Sequence, residues 1–289
     1  MKPLLALVVV TAVWGVTFVQ VKDAVAVYPL LAFLALRFGI ATATLAVPGV
    51  TRLRGLGRRG WVAAAFAGLL LAAGYTLQTA GLARTTVSSA GFVTGMYVVL
   101  TPLLALALFR LRVGLAAWAG VALATGGLAL LSGVDAGSPA GDLLVLGGAA
   151  VYSLQIVLME RYAPLYDVLA FTLVEMLAAF AALGVVAIPQ YEVPRGWTVW
   201  GALLVTGVFA SALAFLAQTW AQRRTSATRT ALVFTLEPVW AALFGYTLAG
   251  DRLGTAGWAG CIVIMAGILL AEPAAAATLV RLVRRPGPA

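Results

Sequence analysis

The chain of 289 residues contains no histidine and a single cysteine, Cys261. Without histidine it can form neither a Ser-His-Asp triad nor a histidine-ligated metal site. One cysteine allows no disulfide within the chain and no zinc site built from thiolates. These absences exclude chemistry that depends on histidine or on thiolate metal sites, and we expect no metal and no cofactor. They disfavour an enzyme, and an intramembrane enzyme that uses Asp, Glu or Tyr is the alternative.

Charged residues are also scarce, at 10% of the chain, where about 25% is usual in soluble domains. The hydrophobic set makes up 63%, a further 31 residues are glycine, and the mean hydropathy is +1.03. A soluble protein needs more charge than this to cover its surface. The composition therefore excludes soluble enzymes, nucleic-acid-binding domains and disordered proteins, and it predicts an integral membrane protein that is surrounded by the lipid bilayer.

Ten segments of the chain are apolar and long enough to cross the hydrocarbon core, which takes about 20 residues of helix. Their approximate bounds are 4–21, 29–50, 61–82, 87–109, 114–132, 142–160, 167–188, 197–221, 227–249 and 254–271. The connections between them are too short to fold as a soluble domain. The sequence thus predicts an all-α membrane protein with ten transmembrane helices.

Lysine and arginine concentrate on one side of these helices. Of the 19 such residues, 14 lie on the side of the N-terminus, 4 lie on the opposite side, and Arg37 lies within a span. Positively charged loops are retained in the cytoplasm. We therefore expect both termini to be cytoplasmic, with a basic tail at residues 273–289 close to anionic lipid. This distribution accounts for the net charge of +9 without any nucleic acid.

The two halves of the chain resemble each other at a nearly constant offset. The corresponding positions are Trp14 and Tyr152 at 138 residues, Arg37 and Glu175 at 138, Pro102 and Pro238 at 136, and Trp118 and Trp258 at 140. Residues 3–132 and 141–272 would each hold five helices, and an odd number requires the second half to be inverted in the membrane. Inverted repeats are common among secondary transporters, whose substrate sites lie near the midplane. Chance similarity between apolar helices is the alternative.

Polar side chains inside the spans fall on single helical faces of spans one, three and four and of their counterparts six, eight and nine. Polar groups in hydrocarbon generally face the interior of a bundle or a water-filled path. The residues that we expect to line a shared substrate cavity are Trp14, Thr17, Tyr75, Gln78, Thr94, Tyr97, Tyr152, Gln155, Gln218 and Glu237. The alternative is that these amides and hydroxyls only link neighbouring helices.

Three of the charged residues lie inside spans. Glu237 is about midway along span nine and directly precedes Pro238. The proline removes a backbone hydrogen bond and frees a carbonyl near the bilayer centre. The Glu237 carboxylate, beside this broken helix, is therefore a candidate site for a cation or a proton. A structural contact with a neighbouring helix is the alternative. Arg37 and Glu175 lie at different depths, so we expect no mutual salt bridge. As structural or gating charges, they are expected to contact backbone carbonyls or loop residues rather than solute.

Several motifs along the chain resemble those of one transporter family. They are Trp14-Gly15-Val16-Thr17-Phe18, Leu36-Arg37-Phe38, Gly91-Phe92-Val93-Thr94, Thr101-Pro102, the run from Gln218 to Ser226, and the run from Leu236-Glu237-Pro238 to Gly250-Asp251-Arg252-Leu253. Over residues 3 to 272 the chain resembles the EamA branch of the drug/metabolite transporter superfamily, a group of bacterial inner-membrane exporters. Asp251 stands where that family usually has glutamate, and the first half lacks an acid-arginine pair near Arg110.

The resemblance implies two inverted five-helix EamA repeats around a central cavity, and export of amino acids or related small metabolites with no enzymatic step. From the inverted repeat and the polar faces we expect a secondary transporter that works by alternating access. Nucleosides, sugars and cationic drugs remain alternative solutes, and protons are a candidate coupling partner. A lipid-handling membrane protein is the alternative from another class. No Gly-x-x-x-x-Gly-Lys-Ser/Thr run is present, so we do not expect the chain to hydrolyse ATP. Small residues on spans five and ten could pack two copies into a homodimer.

Overall fold

The computed structural model describes residues 2–110, 113–132, 138–244 and 254–271. Within these ranges the chain is helical apart from short connections. The helices are α1 Lys2–Val27, α2 Leu30–Gly49, α3 Gly57–Leu82, α4 Val87–Gly95, α5 Tyr97–Phe109, α6 Leu115–Ser132, α7 Pro139–Tyr162, α8 Val168–Ala187, α9 Gly196–Leu204, α10 Ala214–Gln222, α11 Ala227–Phe234, α12 Leu236–Phe244 and α13 Thr255–Ala271. A π-helical segment, Val205–Leu213, joins α9 to α10. Short 3-10 turns occur at Val50–Gly55, Ala163–Leu165 and Ile188–Gln190.

Seven helical segments in the described part of the chain are long and apolar enough to cross a membrane. They are Lys2–Val27, Leu30–Gly55, Gly57–Leu82, Ser89–Phe109, Pro139–Leu165, Val168–Gln190 and Gly196–Gln222, and two shorter apolar helices cover Leu115–Leu131 and Thr255–Ala271. Large apolar side chains such as Val47 and Ile262 are exposed on the outside of the bundle, where a soluble protein would carry charge. The fold is that of an all-helical, multi-pass membrane protein.

Some of the sequence predictions fall outside the described residues. The second part of the ninth expected span, Asp251 and Arg252 of the family motif, Arg112 and the basic tail are among them. The described part of the ninth span consists of α11 and α12.

Two of the expected spans are interrupted at similar positions. The fourth breaks between α4 and α5, where the Met96 amide donates to the Val93 carbonyl, and the ninth breaks between α11 and α12, where the Thr235 amide donates to the Leu232 carbonyl. These are tight turns of the 3-10 type. Pro238 has no amide hydrogen for the carbonyl four residues before it, which explains why the helix restarts near Glu237.

Glycines bring α6 and α13 into close contact. A Cβ added at Gly120 would lie 2.6 Å from the carbonyl oxygen of Gly267, and one added at Gly260 would lie 2.6 Å from that of Gly127. The small-residue faces of spans five and ten therefore pack against each other within a single chain. The expectation that they would join two copies is wrong for these glycines, because their surface is already buried.

Candidate functional site

A cavity with a volume of about 660 Å³, counting the part that opens to the outside, lies inside the bundle. Its walls come from α1, α2, α3, α4, α5, α7, α10, α11 and α12. The structure brings all ten of the residues predicted from helical faces to this one cavity, namely Trp14, Thr17, Tyr75, Gln78, Thr94, Tyr97, Tyr152, Gln155, Gln218 and Glu237. Their role in binding a solute stays a prediction.

Gln78 connects three helices on one wall of the cavity. Its side-chain amide nitrogen donates to the Thr94 hydroxyl at 3.1 Å, and its amide oxygen accepts from the Tyr152 hydroxyl at 3.0 Å. The indole nitrogen of Trp14 donates to the Ala210 carbonyl at 2.8 Å, and the Thr17 hydroxyl donates to the Trp14 carbonyl at 2.8 Å. The polar groups are thus held in set orientations, so they present a preformed surface to a solute.

Aromatic rings form much of the remaining wall. Phe215 and Phe234 pack on Trp14 with ring centroids 5.6 and 4.9 Å away, and the Tyr75 and Tyr152 centroids are 5.3 Å apart. The two phenylalanines were not among the predicted cavity residues, although they share helical faces with Gln218 and Glu237, which was the available signal. Further wall residues are Phe18, Val21, Leu71, Thr79, Leu82 and Ile156. Most are aliphatic; Val21 shares a helical line with Trp14 and Thr17, whereas the other aliphatic residues carry no sequence signal that separates them from lipid-facing residues.

Glu237 is buried in the cavity wall beside the break between α11 and α12. One carboxylate oxygen lies 3.5 Å from the Tyr97 hydroxyl, which is oriented to donate to it. The main chain at this point touches α1, because a Cβ added at Gly15 would lie 2.8 Å from the Glu237 carbonyl oxygen. The position combines a carboxylate, a loosened helix and direct access to the cavity.

Arg37 also lines the cavity, and its contacts differ from those expected. Its Nε donates to the Ser211 hydroxyl at 2.8 Å and its Nη2 to the Tyr75 hydroxyl at 3.1 Å, and the guanidinium lies 4.3 Å from the Tyr75 ring centroid. The prediction of backbone-carbonyl or loop partners is therefore wrong. The π-helical segment that carries Ser211 packs against α2, so a side-chain partner is available at the depth of Arg37.

Glu175 is fully buried and lies behind the cavity rather than in its lining. The Gln155 side-chain nitrogen donates to one of its carboxylate oxygens at 2.8 Å. Arg37 and Glu175, both described, form no ion pair with each other, and this part of the expectation agrees with the structure.

At each end of the cavity helices, charged side chains contact a neighbouring helix or connection. At one end the Lys22 ammonium donates to the Thr85 carbonyl at 2.9 Å, and the Asp142 carboxylate accepts from the Thr85 hydroxyl at 2.7 Å. At the other end the Glu160 carboxylate accepts from the Ala227 amide at 2.7 Å. Asp142 and Glu160 are both on α7, about 27 Å apart along its axis, so the two contacts lie on opposite faces of the bundle.

Apolar helices surround an internal cavity with aromatic, amide and charged walls, an arrangement that is typical of membrane proteins that take up a small molecule. The model of the EamA-like transporter family matches residues 1–133 and again residues 139–271. The chain therefore belongs to the EamA-like transporter family, within the drug/metabolite transporter superfamily. The resemblance found in the sequence motifs is confirmed.

Two further comparisons agree with this assignment. A protein of Archaeoglobus fulgidus that is named an uncharacterized transporter is 30% identical over 269 residues, which cover 92% of this chain and 84% of the relative. A solved crystal structure superposes with a TM-score of 0.77 over 94% of this chain and 98% of that chain; at 21% identity, it shows a shared fold. The protein is accordingly a membrane transporter, which moves solutes rather than converting them.

Proposed function

We propose that the protein is a secondary transporter that exports amino acids or related small metabolites through the central cavity by alternating access. Membership of the family and the naming of the relative support transport in general. The export direction and the solute class rest on the resemblance of the motifs and on the chemistry of the cavity.

The observation that carries the solute class is the pairing of opposite charges in one cavity. Arg37 and Glu237 both line it and interact electrostatically, and amides and aromatic rings lie around them. A zwitterion matches such a site, because its ammonium group suits Glu237 and its carboxylate suits the Arg37 side, while an apolar side chain packs on Trp14 and Phe215. Sugars lack both charges. A cationic drug would bring a positive charge close to Arg37 and would offer no anionic group to pair with it.

The proposed architecture is ten transmembrane helices in two inverted five-helix repeats. The repeated match of the family model supports it, as do the matching breaks at Met96 and Thr235. Lys22 and Glu160, whose contacts lie on opposite faces of the bundle, are 138 residues apart, the same offset as Trp14 and Tyr152. We propose that these two contacts, Lys22 with Thr85 and Glu160 with Ala227, act as gates. Gates on opposite faces suit a cycle in which one opens while the other closes.

We further propose that the protein resides in a bacterial inner membrane with both termini in the cytoplasm, in accordance with the 14 to 4 distribution of lysine and arginine. Its partners in this setting are the bilayer and a small solute. Protons are a candidate coupling ion, and a homodimer stays a prediction.

Proteoliposomes test the proposed function directly. Vesicles that contain the purified protein are loaded with a mixture of labelled amino acids, and their release is compared with release from protein-free vesicles. We expect saturable release of particular amino acids, with weaker or no release of a labelled nucleoside and a labelled sugar. Scrambling of fluorescent lipid without any solute flux would contradict the proposal and favour a lipid-handling protein.

A further inference from the structure

Glu175 on α8 is a buried carboxyl group that lies outside the cavity lining. It is 0% exposed, and its position eight residues after Asp167 places it about 12 Å into the helix. One carboxylate oxygen, Oε1, accepts a hydrogen bond from Gln155. The other oxygen, Oε2, is buried and receives no hydrogen bond. A group of this kind requires an explanation, because an unpartnered polar atom in a protein interior costs free energy.

A second unpartnered oxygen lies on the next residue of the same hydrogen-bonded chain. The Gln155 amide oxygen accepts from the Gln218 side-chain nitrogen at 3.0 Å, and that nitrogen also donates to the Gln222 amide oxygen at 2.8 Å. The amide oxygen of Gln218 is buried and receives no donor. Gln155 is thus placed between two residues, Glu175 and Gln218, each of which has one oxygen without a hydrogen-bond partner.

The charges around Glu175 do not offset an ionised carboxylate. Arg37 on α2 donates its hydrogen bonds to Ser211 and Tyr75. Arg52, which follows α2, forms its ion pair with Asp167. Tyr75 on α3 interacts electrostatically with Glu175 but bears no positive charge. The remaining charged or titratable groups on the packed helices are Arg54, Arg58 and Arg59 near the start of α3, and Asp142, Tyr152, Glu160, Arg161 and Tyr162 on α7. Among the described residues, no lysine or arginine forms an ion pair with Glu175.

A proton on Glu175 accounts both for the missing counter-ion and for the oxygen that has no hydrogen-bond donor. Addition of one proton to Oε2 neutralises the carboxylate, which removes the large cost of a charge without a counter-ion in an apolar interior. It also converts an oxygen that lacks a donor into a hydroxyl that can itself donate to a free acceptor. The Gln218 amide oxygen, which belongs to the same hydrogen-bonded chain through Gln155, is an acceptor without a partner. No bond other than the O–H bond is formed at Glu175, and the proton is supplied by a hydronium ion, which becomes water.

We propose that Glu175 is a proton-binding site separate from the solute cavity and that Gln155 couples the two. Gln155 lines the cavity and at the same time donates to Glu175. A solute that engages the Gln155 amide changes the hydrogen bond on which Glu175 depends, so solute and proton occupancy influence each other. The coupling to solute rests on the proposed function, whereas proton binding at Glu175 does not.

Infrared difference spectroscopy tests proton binding without any transport assay. The protein, reconstituted in lipid, is titrated with acid and base, and the carbonyl-stretch band of protonated carboxylic acids is followed. We expect a band that disappears as the pH rises, that is lost in Glu175→Gln and that persists in Glu237→Gln. A spectrum of wild type that matches Glu175→Gln at every pH would overturn the proposal. A band assigned to Glu175 that never titrates would also overturn it, since the proton would then be structural.

A second variant tests the coupling and does not remove the carboxyl group. At a solute concentration that saturates binding, Gln155→Leu should keep the Glu175 band but lose the shift that solute causes in its titration, whereas Gln190→Leu, at an exposed position outside the cavity lining, should keep that shift. If Gln155→Leu responds to solute like wild type, the coupling is wrong. A titrating Glu175 band in a protein that moves no amino acid would contradict the proposed function and leave the proton site intact.

Discussion

Glu237 and Arg37 are charged residues in the cavity wall whose settings differ. Arg37 has two hydroxyl partners and lies over an aromatic ring, so its charge is well solvated by the protein. Glu237 has a single distant partner, the Tyr97 hydroxyl. The carboxylate is therefore the group with unused capacity to bind a ligand, and we expect it to interact most directly with the cationic part of a solute.

The substitution Glu237→Gln keeps the shape of the side chain and removes its charge. If Glu237 binds an ammonium group, affinity should fall by about 10- to 100-fold, the equivalent of a charged hydrogen bond of about 1.5–3 kcal/mol. If Glu237 exchanges a proton instead, the variant should bind solute normally and lose its response to a pH gradient. Solute binding and pH-jump flux in proteoliposomes distinguish these results.

Tyr97→Phe is the matched control for this experiment. It removes the neighbouring hydroxyl but leaves the carboxylate in place, so we expect a smaller effect on affinity than that of Glu237→Gln. A well-folded Glu237→Gln protein with the affinity, rate and pH dependence of wild type would show that the carboxylate is structural.

At the scale of helices, the start of α8 depends on one side chain. The Asp167 carboxylate accepts from the Leu169 and Ala170 amides and pairs with Arg52 at 3.1 Å. Partial burial acts to raise the pKa of Asp167, but the Ala170 amide and the Arg52 guanidinium outweigh it, so the pKa lies below its ordinary value. A carboxyl group with a lowered pKa stabilises the fold when it is ionised.

We expect Asp167→Ala to lower the free energy of unfolding by about 1 kcal/mol, as is typical for loss of an N-cap. Because the pKa is lower in the folded protein, this stabilisation is complete above the ordinary aspartate pKa of about 3.9 and is lost as the pH falls through the lower folded value. Thermal unfolding of both proteins from pH 3 to pH 8 should show a gap that narrows only at the acid end. A constant gap, or one that widens in acid, would contradict the assignment.

The contact between α6 and α13 depends on glycines at particular positions. In Gly127→Ala the new Cβ would lie 2.7 Å from an Ile264 side-chain carbon and 2.8 Å from the Gly260 carbonyl oxygen, so the helices must separate. We expect a loss of about 1–3 kcal/mol, measured as a lower midpoint of thermal unfolding in detergent.

Gly126→Ala is a control one residue away, because its Cβ would meet nothing within 4 Å. We expect this variant to unfold at the wild-type temperature or slightly above it, since alanine favours a helix over glycine by about 1 kcal/mol. Equal losses of stability in the two variants would mean that helix propensity rather than close packing decides the outcome.

At the scale of the whole molecule, the orientation in the membrane can be measured with single cysteines. The natural thiol, Cys261, is first replaced by serine. Arg58→Cys and Glu192→Cys, both at exposed positions, are then tested separately with a membrane-impermeant thiol reagent. We expect Glu192→Cys to be labelled in intact cells and Arg58→Cys only after the cells are permeabilised, because five spans separate the two positions. Labelling of both from the same side would contradict this topology.

The composition and the positions of polar residues were sufficient to predict the membrane setting and the residues that line the cavity. A chain with 10% charged residues cannot cover a water-exposed surface, so a membrane setting followed without any structural information. Helical periodicity then predicted which polar side chains share a face, because residues three, four and seven apart point in the same direction in any helix. For that reason ten expected residues do lie around one cavity, although their helices are far apart in the chain.

Tertiary structure alone decided which side chains meet. Arg37 and Ser211 are 174 residues apart, and only the packing of the π-helical segment on α2 brings them within 2.8 Å. The same holds for Glu175, because the packing of α8 against α2 and α3 leaves its carboxylate outside the cavity lining and in contact with Gln155. Periodicity in a sequence reports the direction of a side chain around its own helix axis. The partner that the side chain meets depends on how the helices pack together, which only the folded molecule determines.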